Sequence, residues 1–157
     1  MTTPTSALGE AAPPRLGEGL DFMRLLWALE HALARASRRM EAIIGLTGPQ
    51  RLVIRIVGRF PGISPGHLAA LLHVDPSTLT GVLGRLEGRG LLSRRRDPRD
   101  RRRVLLGLTA GGRAFDVESD GTIEHAVQQA TASATPGQAE AAREMIELLT
   151  IRIRALS

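Results

Sequence analysis

The chain has 157 residues and a formal net charge of +5, which bounds it to one domain or one small domain with extensions. Its 21 basic residues are all arginine, a bias that G·C-rich codons account for and that still favours bidentate contacts with phosphate or guanine. Aromatics make up 3% against 43% hydrophobic residues overall, so the core has to be aliphatic and suits packed helices; with no Cys, disulfide frameworks, thiol sensors and cysteine-ligated zinc are excluded.

Residues 1–19 are rich in Pro, Gly, Ala and Thr and predict a flexible lead-in without the pattern of a secretory signal. No stretch approaches the length of a membrane span, and a cytoplasmic protein is expected. From Asp21 the pattern turns helical. Phe22, Leu25, Leu26, Leu29, Leu33, Ala36, Met40, Ile43 and Ile44 recur at three- and four-residue spacing, ending near residues 45–48. A second helix opens with Pro49 in its first turn and carries Leu52, Val53, Ile56, Val57 and Phe60 as its expected buried stripe. Ser64 and Pro65 read as the N-cap and first position of a short third helix with Leu68, Ala69, Leu71 and Leu72. Asp75 is expected to cap a fourth helix that buries Leu79, Val82, Leu83 and Leu86, with Gly90 ending it.

Val104, Leu106 and Leu108 alternate like a half-buried strand, and Asp97-Pro98 is a turn signal. The seven arginines between positions 94 and 103 therefore fall at the tip of a β-hairpin. Thr109 caps a fifth helix predicted to run to about Ser133, although Gly111 and Gly112 weaken its first turn. Thr135 and Pro136 start a sixth, with Ala142, Met145, Ile146, Leu149, Ile153 and Leu156 as its stripe.

Residues 64–90 have the spacing of a helix-turn-helix, and the basic hairpin behind them completes a winged helix. The stretch LAALLHVDPSTLTGVLGRLEGRGLLSRRRDPRDRRRVLLGLT resembles the MarR family of bacterial transcriptional regulators. The wing carries the most specific features, Asp97-x-Arg99-Asp100-x-Arg102 and then Leu108-Thr109-x-x-Gly112; the junction Leu86-Glu87-x-x-Gly90-Leu91 matches too. The resemblance covers about residues 20–156. It implies a mainly α winged helix-turn-helix fold, about six helices with a two-stranded β-wing. It also implies a homodimer through interdigitated N- and C-terminal helices. Residues 1–19 would then be a flexible segment, 20–48 a dimerisation helix, 49–112 the DNA-binding domain and 113–157 the C-terminal dimerisation helices. The apolar stripes on the first, fifth and sixth helices agree, since one small domain cannot easily bury three of them and a two-fold partner can. Two recognition helices would enter successive major grooves of a pseudo-palindromic double-stranded DNA site, about 34 Å apart.

Pro76, Ser77, Thr78, Thr80, Gly81 and Arg85 form the outward face of the fourth helix. Ser77 and Thr78 suit phosphate or base-edge contacts, and Arg85 suits phosphate. Members of the resembled family often carry Arg or another long polar residue where this chain has Gly81, so major-groove reading is expected to be modest, with Ser77, Thr78 and Thr80, or DNA shape, carrying more of the specificity. On the wing, the resemblance places Arg102 in the minor groove. Arg99, Arg101 and Arg103 are expected phosphate contacts, Arg96 belongs to the same surface, and Asp100 is expected to pair with a neighbouring Arg. Arg38, Arg39, Arg51, Arg55 and Arg59 make a second basic group; the last three share one helix face by their spacing, read as solvated rather than as a phosphate track.

The resemblance further implies a small aromatic or anionic effector between the dimer helices and the winged helix. Trp27, the only Trp, lies near Met23 and His31, and with Phe60 these make the candidate pocket, against the alternative of ordinary interface packing. His31, His67, His73 and His125 include no pair at ligand spacing on one helix, so no metal and no other cofactor is expected. There is no P-loop, nucleophile elbow or paired-carboxylate pattern, and an enzyme is not expected. The reading is a ligand-responsive, sequence-specific DNA-binding regulator, most often a repressor. A sequence-tolerant architectural DNA-binding protein and a winged-helix protein-interaction module are the alternatives.

Overall fold

The structure is a computed structural model that describes residues 16–156. The predicted lead-in lies outside the described residues up to position 15. The chain divides into two units, with the division after Ala32, inside the first helix. That helix, α1, spans Glu18–Ile44, and Glu18 and Asp21 in its first turn complement the helix dipole. In the first unit Leu20, Phe22, Met23, Leu25, Trp27 and Leu29 are all exposed. The Trp27 ring stacks on His31 with centroids 5.5 Å apart, and His31 Nδ1 hydrogen-bonds the Trp27 carbonyl at 3.0 Å.

The second unit holds the rest of α1 and the winged helix. Thr47 caps α2 (Gly48–Arg59) through a reciprocal capping box with Gln50, an arrangement that stabilises a helix start by about 1 kcal/mol. Ser64 caps α3 (Pro65–Leu72), which ends in a left-handed His73. α4 (Pro76–Gly88) follows, and Gly90 takes the positive φ that turns the chain into the hairpin. Strands β1 (Leu92–Arg96) and β2 (Val104–Leu108) pair antiparallel, Leu92 opposite Leu108 and Arg96 opposite Val104. The loop before α3 also pairs with β2: Gly62 N–H donates to the Leu106 carbonyl and Leu106 N–H to the Ile63 carbonyl. The wing is thus fastened at its base to the helix-turn-helix.

One aliphatic core joins these elements. Ile54, Val57, Leu68, Leu83, Leu86 and Leu106 lose all or nearly all contact with solvent, and truncating any one of the leucines to Ala would cost about 2–5 kcal/mol. α5 is a single turn, Ala110–Arg113; α6 spans Ile123–Ser133 and α7 spans Pro136–Arg154.

The structure corrects four expectations about the helices. The predicted fifth helix is two, α5 and α6, so the described residues hold seven helices; the break falls at residues 114–122, where Asp120-Gly121 is a turn signal and Gly121 has φ +73°. Of the predicted α2 stripe, Leu52 and Phe60 are exposed, and Ile54 takes the buried place, because the core side of α2 is one position round from the one expected. Val82 is half-buried at the rim of the core rather than within it. Asp75 occupies the N-cap position of α4 but its carboxylate makes no cap bond; Arg154 of α7 lies 3.4 Å from it instead.

Candidate nucleic-acid interface

The outward face of α4 is as expected. Pro76, Ser77, Thr78, Thr80, Gly81 and Arg85 are all exposed, while Leu79, Leu83 and Leu86 anchor the opposite side. Two details narrow what this face can read. The Thr80 hydroxyl donates to the Pro76 carbonyl at 2.7 Å, so it is committed to its own helix. Arg85 folds back along α4, its guanidinium 4.0 Å from where a Cβ on Gly81 would lie. Ser77, Thr78 and the exposed Arg85 are the groups left to meet a ligand.

The hairpin tip is organised by backbone capture. Asp97 Oδ1 accepts the Arg99 N–H at 2.9 Å, and Asp100 Oδ1 accepts the Arg102 N–H at 3.0 Å. The main chain closes the loop, with Asp97 N–H on the Arg103 carbonyl and Arg103 N–H on the Asp100 carbonyl. These are Asx turns, in which a short carboxylate imitates a backbone carbonyl. The expected pairing of Asp100 with an arginine side chain is therefore corrected: the carboxylate holds a backbone N–H. Among the described residues no carboxylate pairs with Arg95, Arg96, Arg99, Arg101, Arg102 or Arg103. Arg96 donates to the Arg101 carbonyl at 3.0 Å across the tip. Arg94 is the exception, with Nε 2.8 Å from Glu87 Oε1, an ion pair that ties the strand to the end of α4. The tip thus carries guanidiniums that no carboxylate neutralises, and such a surface suits a polyanion with regularly spaced phosphates.

The second basic group is corrected in part. Arg38, Arg39 and Arg59 are exposed as expected. Arg51 is 1% exposed and fully engaged inside the protein. Its Nε and Nη2 hold Glu124 at 2.8 and 2.6 Å, Nη2 also donates to the Val117 carbonyl at 2.6 Å, and Nη1 to the Phe115 carbonyl at 3.2 Å. Arg55 is half-buried and binds Asp116 at 2.7 Å. Neither residue is a solvated face or a phosphate track, because burial of a guanidinium demands that its donors be satisfied internally.

Of the candidate effector residues, Met23, Trp27 and His31 are exposed on α1 in the first unit, and Phe60 is exposed at the end of α2 in the second. A separate open groove of about 840 Å³ lies along α6 and α7, with Leu72 and His73 at one end and Ile146, Ile151 and Arg154 along its wall. Sequence reading did not identify this groove. No helix among the described residues is long and apolar enough to cross a membrane.

Comparison with known proteins places this geometry. The sequence profile of the MarR family matches residues 44–103, from the end of α1 to the wing tip. The HTH-type transcriptional repressor Mb2911 of Mycobacterium bovis is 30% identical over 106 residues, 68% of this chain and 76% of that one. The HTH-type transcriptional regulator TtmR of Methylorubrum extorquens is 36% identical over 115 residues, 73% of this chain but only 58% of that relative's own length. Among solved structures, the PcaV transcriptional regulator from Streptomyces coelicolor, in complex with its natural ligand, superposes with a TM-score of 0.64 at 26% identity, covering 88% of this chain and 96% of that one.

Proposed function

This chain belongs to the MarR family, and on that premise we propose that it is a sequence-specific DNA-binding transcriptional regulator, a repressor that binds a pseudo-palindromic operator as a homodimer in the cytoplasm. The wing is the observation that carries this reading. Apart from Arg94 its arginines have no carboxylate partner, its loop is pre-shaped by two Asx turns, and it follows directly on α4, whose N-terminal half is exposed. Arg102 enters the minor groove and Arg99, Arg101 and Arg103 hold phosphates. Catalysis has no part in this role.

The homodimer is supported by apolar residues that the single chain leaves uncovered. α6 and α7 bury none of their residues, and Val127, Ile146, Leu148, Ile151 and Ile153 are exposed. An apolar surface of that kind marks an association face. A small aromatic or anionic effector relieves repression, and Trp27 reports on it, being the chain's only Trp. Its fluorescence is expected to be quenched by any ligand that releases DNA; a releasing ligand that leaves the emission unchanged places the effector site elsewhere.

A sequence-tolerant architectural role is favoured by one specific observation, the shortage of base-reading groups on α4 left by Gly81 and the committed Thr80 hydroxyl. The two readings separate by sequence preference, since only the specific regulator binds its operator more tightly than a scrambled duplex, and Arg102→Ala tests the wing in either case. For a specific regulator this variant weakens operator binding and lowers the salt slope by about one, since each phosphate or groove contact releases counterions. Binding equal to the parent chain would remove the wing from the interface.

A further inference from the structure

We propose that the Arg51–Glu124 ion pair is a latch that sets where the C-terminal helices stand relative to the winged helix, and so acts as a positioning device for the DNA interface. For its effect on DNA the inference rests on the function proposed above; the latch itself does not.

The aliphatic core leaves out the C-terminal helices. Leu46, Val53, Ile54, Val57, Leu68, Leu79, Leu83, Leu86 and Leu106 join the turn after α1, helices α2 to α4 and the hairpin, and no residue of α6 or α7 belongs to that core. Within one chain, hydrophobic burial therefore does not fix the C-terminal helices. Their attachment is concentrated at the start of α6. Thr122, the N-cap, is buried; the Ile123 N–H donates to Met40 Sδ at 3.4 Å; Glu124 reaches Arg51.

The attachment is also directional. Arg51 grips the Glu124 carboxylate with two nitrogens and takes the carbonyls of Phe115 and Val117 with the rest of its fork. One side chain of α2 thus holds both the segment leading out of the winged helix and the first turn of α6. A planar fork on a planar carboxylate fixes an angle as well as a distance. Arg55 supports the same carboxylate from 3.5 Å while binding Asp116. The pair is suited to two discrete states because opening it strands a guanidinium in a site with 1% exposure. A second tie at the far end of α7, Arg154 to Asp75 at 3.4 Å, is exposed on both sides and weakly constraining. It nonetheless ends on the N-cap of α4, so a swing of α7 about the latch arrives at the start of the recognition helix.

The chain has no Cys, so two introduced ones are the only labelling sites. Gly84→Cys on α4 and Glu144→Cys on α7, both exposed, carry nitroxides, and the labelled chain is diluted with unlabelled chain so that only intrachain distances are read by pulsed electron resonance. The latched protein gives one narrow distribution. Glu124→Gln, which keeps the shape and loses the charge, is expected to broaden it or split it in two. The same substitution is expected to weaken binding to a duplex from the region upstream of the gene by roughly tenfold. A loss confined to stability would reduce the folded fraction without changing the distance in the molecules that remain folded. If Glu124→Gln does not fold, Glu124→Asp decides, since its shorter reach keeps the charge and shifts the mean distance. An unchanged distribution in the folded variant overturns the latch, and a changed distribution with unchanged DNA affinity overturns its positioning role. Absence of DNA binding by the parent chain would count against the proposed function while the distances still decide the latch.

Discussion

Asp116 lies against the bare backbone of Gly58 so closely that a Cβ added at Gly58 would come within 1.9 Å of Asp116 Oδ2. The same carboxylate accepts the Arg55 guanidinium at 2.7 Å. Gly58 thus makes room on α2 for the segment between α5 and α6. In Gly58→Ala the carboxylate has to leave, and Arg55 loses a half-buried partner. The expected cost is about 1–3 kcal/mol, read as a lower urea midpoint with an unchanged slope. A midpoint equal to that of the parent chain would mean Asp116 moves without loss.

Gly112 is a harder constraint, because its neighbour is backbone. A Cβ there would lie 1.9 Å from the Leu91 carbonyl oxygen, which itself accepts the Thr109 N–H. Gly112→Ala pushes α5 off the hairpin base at a cost of about 3 kcal/mol. Gly84→Ala is the contrasting case: its Cβ would meet open space within α4, and the helix gains about 0.5–1 kcal/mol. Urea unfolding of the two variants side by side checks both signs.

Asp100 separates charge from geometry. If electrostatics alone governed the wing, removing a carboxylate from it would strengthen binding to a polyanion. The Arg102 N–H bond at 3.0 Å predicts the reverse for Asp100→Ala, which frees the turn and weakens DNA binding several-fold despite the added positive charge. Asp100→Asn retains the accepting oxygen and binds at least as well as the parent. Anisotropy titrations of both variants against one duplex decide; tighter binding by the Ala variant would reduce Asp100 to a mere charge.

Much of this arrangement is legible in the sequence alone. The hairpin announced itself through Asp97-Pro98 and the alternation of Val104, Leu106 and Leu108, and the helix starts at Ser64 and Thr135 through their capping chemistry followed by Pro. What was hidden depends on partners distant in sequence. Arg51 pairs with Glu124, 73 residues on, and its spacing to Arg55 and Arg59 imitates an ordinary solvated face. The available signal was Ile54, fully buried one turn from Arg51, which sets that edge of α2 against the protein rather than the solvent. The break between α5 and α6 was marked by Asp120-Gly121, which helix-compatible residues on either side outweighed.

On the function proposed, the unpaired arginines of the wing and the N-terminal half of α4 bind a specific duplex. Fluorescence anisotropy tests it most directly, with the purified protein titrated into a labelled duplex from the region upstream of its gene and into a scrambled duplex, across several salt concentrations. The expected result is tighter binding to the upstream duplex by about a hundredfold or more, with a steep fall in affinity as salt rises. Equal affinity for the two duplexes would contradict specific regulation at that site, and no binding at low salt would contradict the DNA interface altogether.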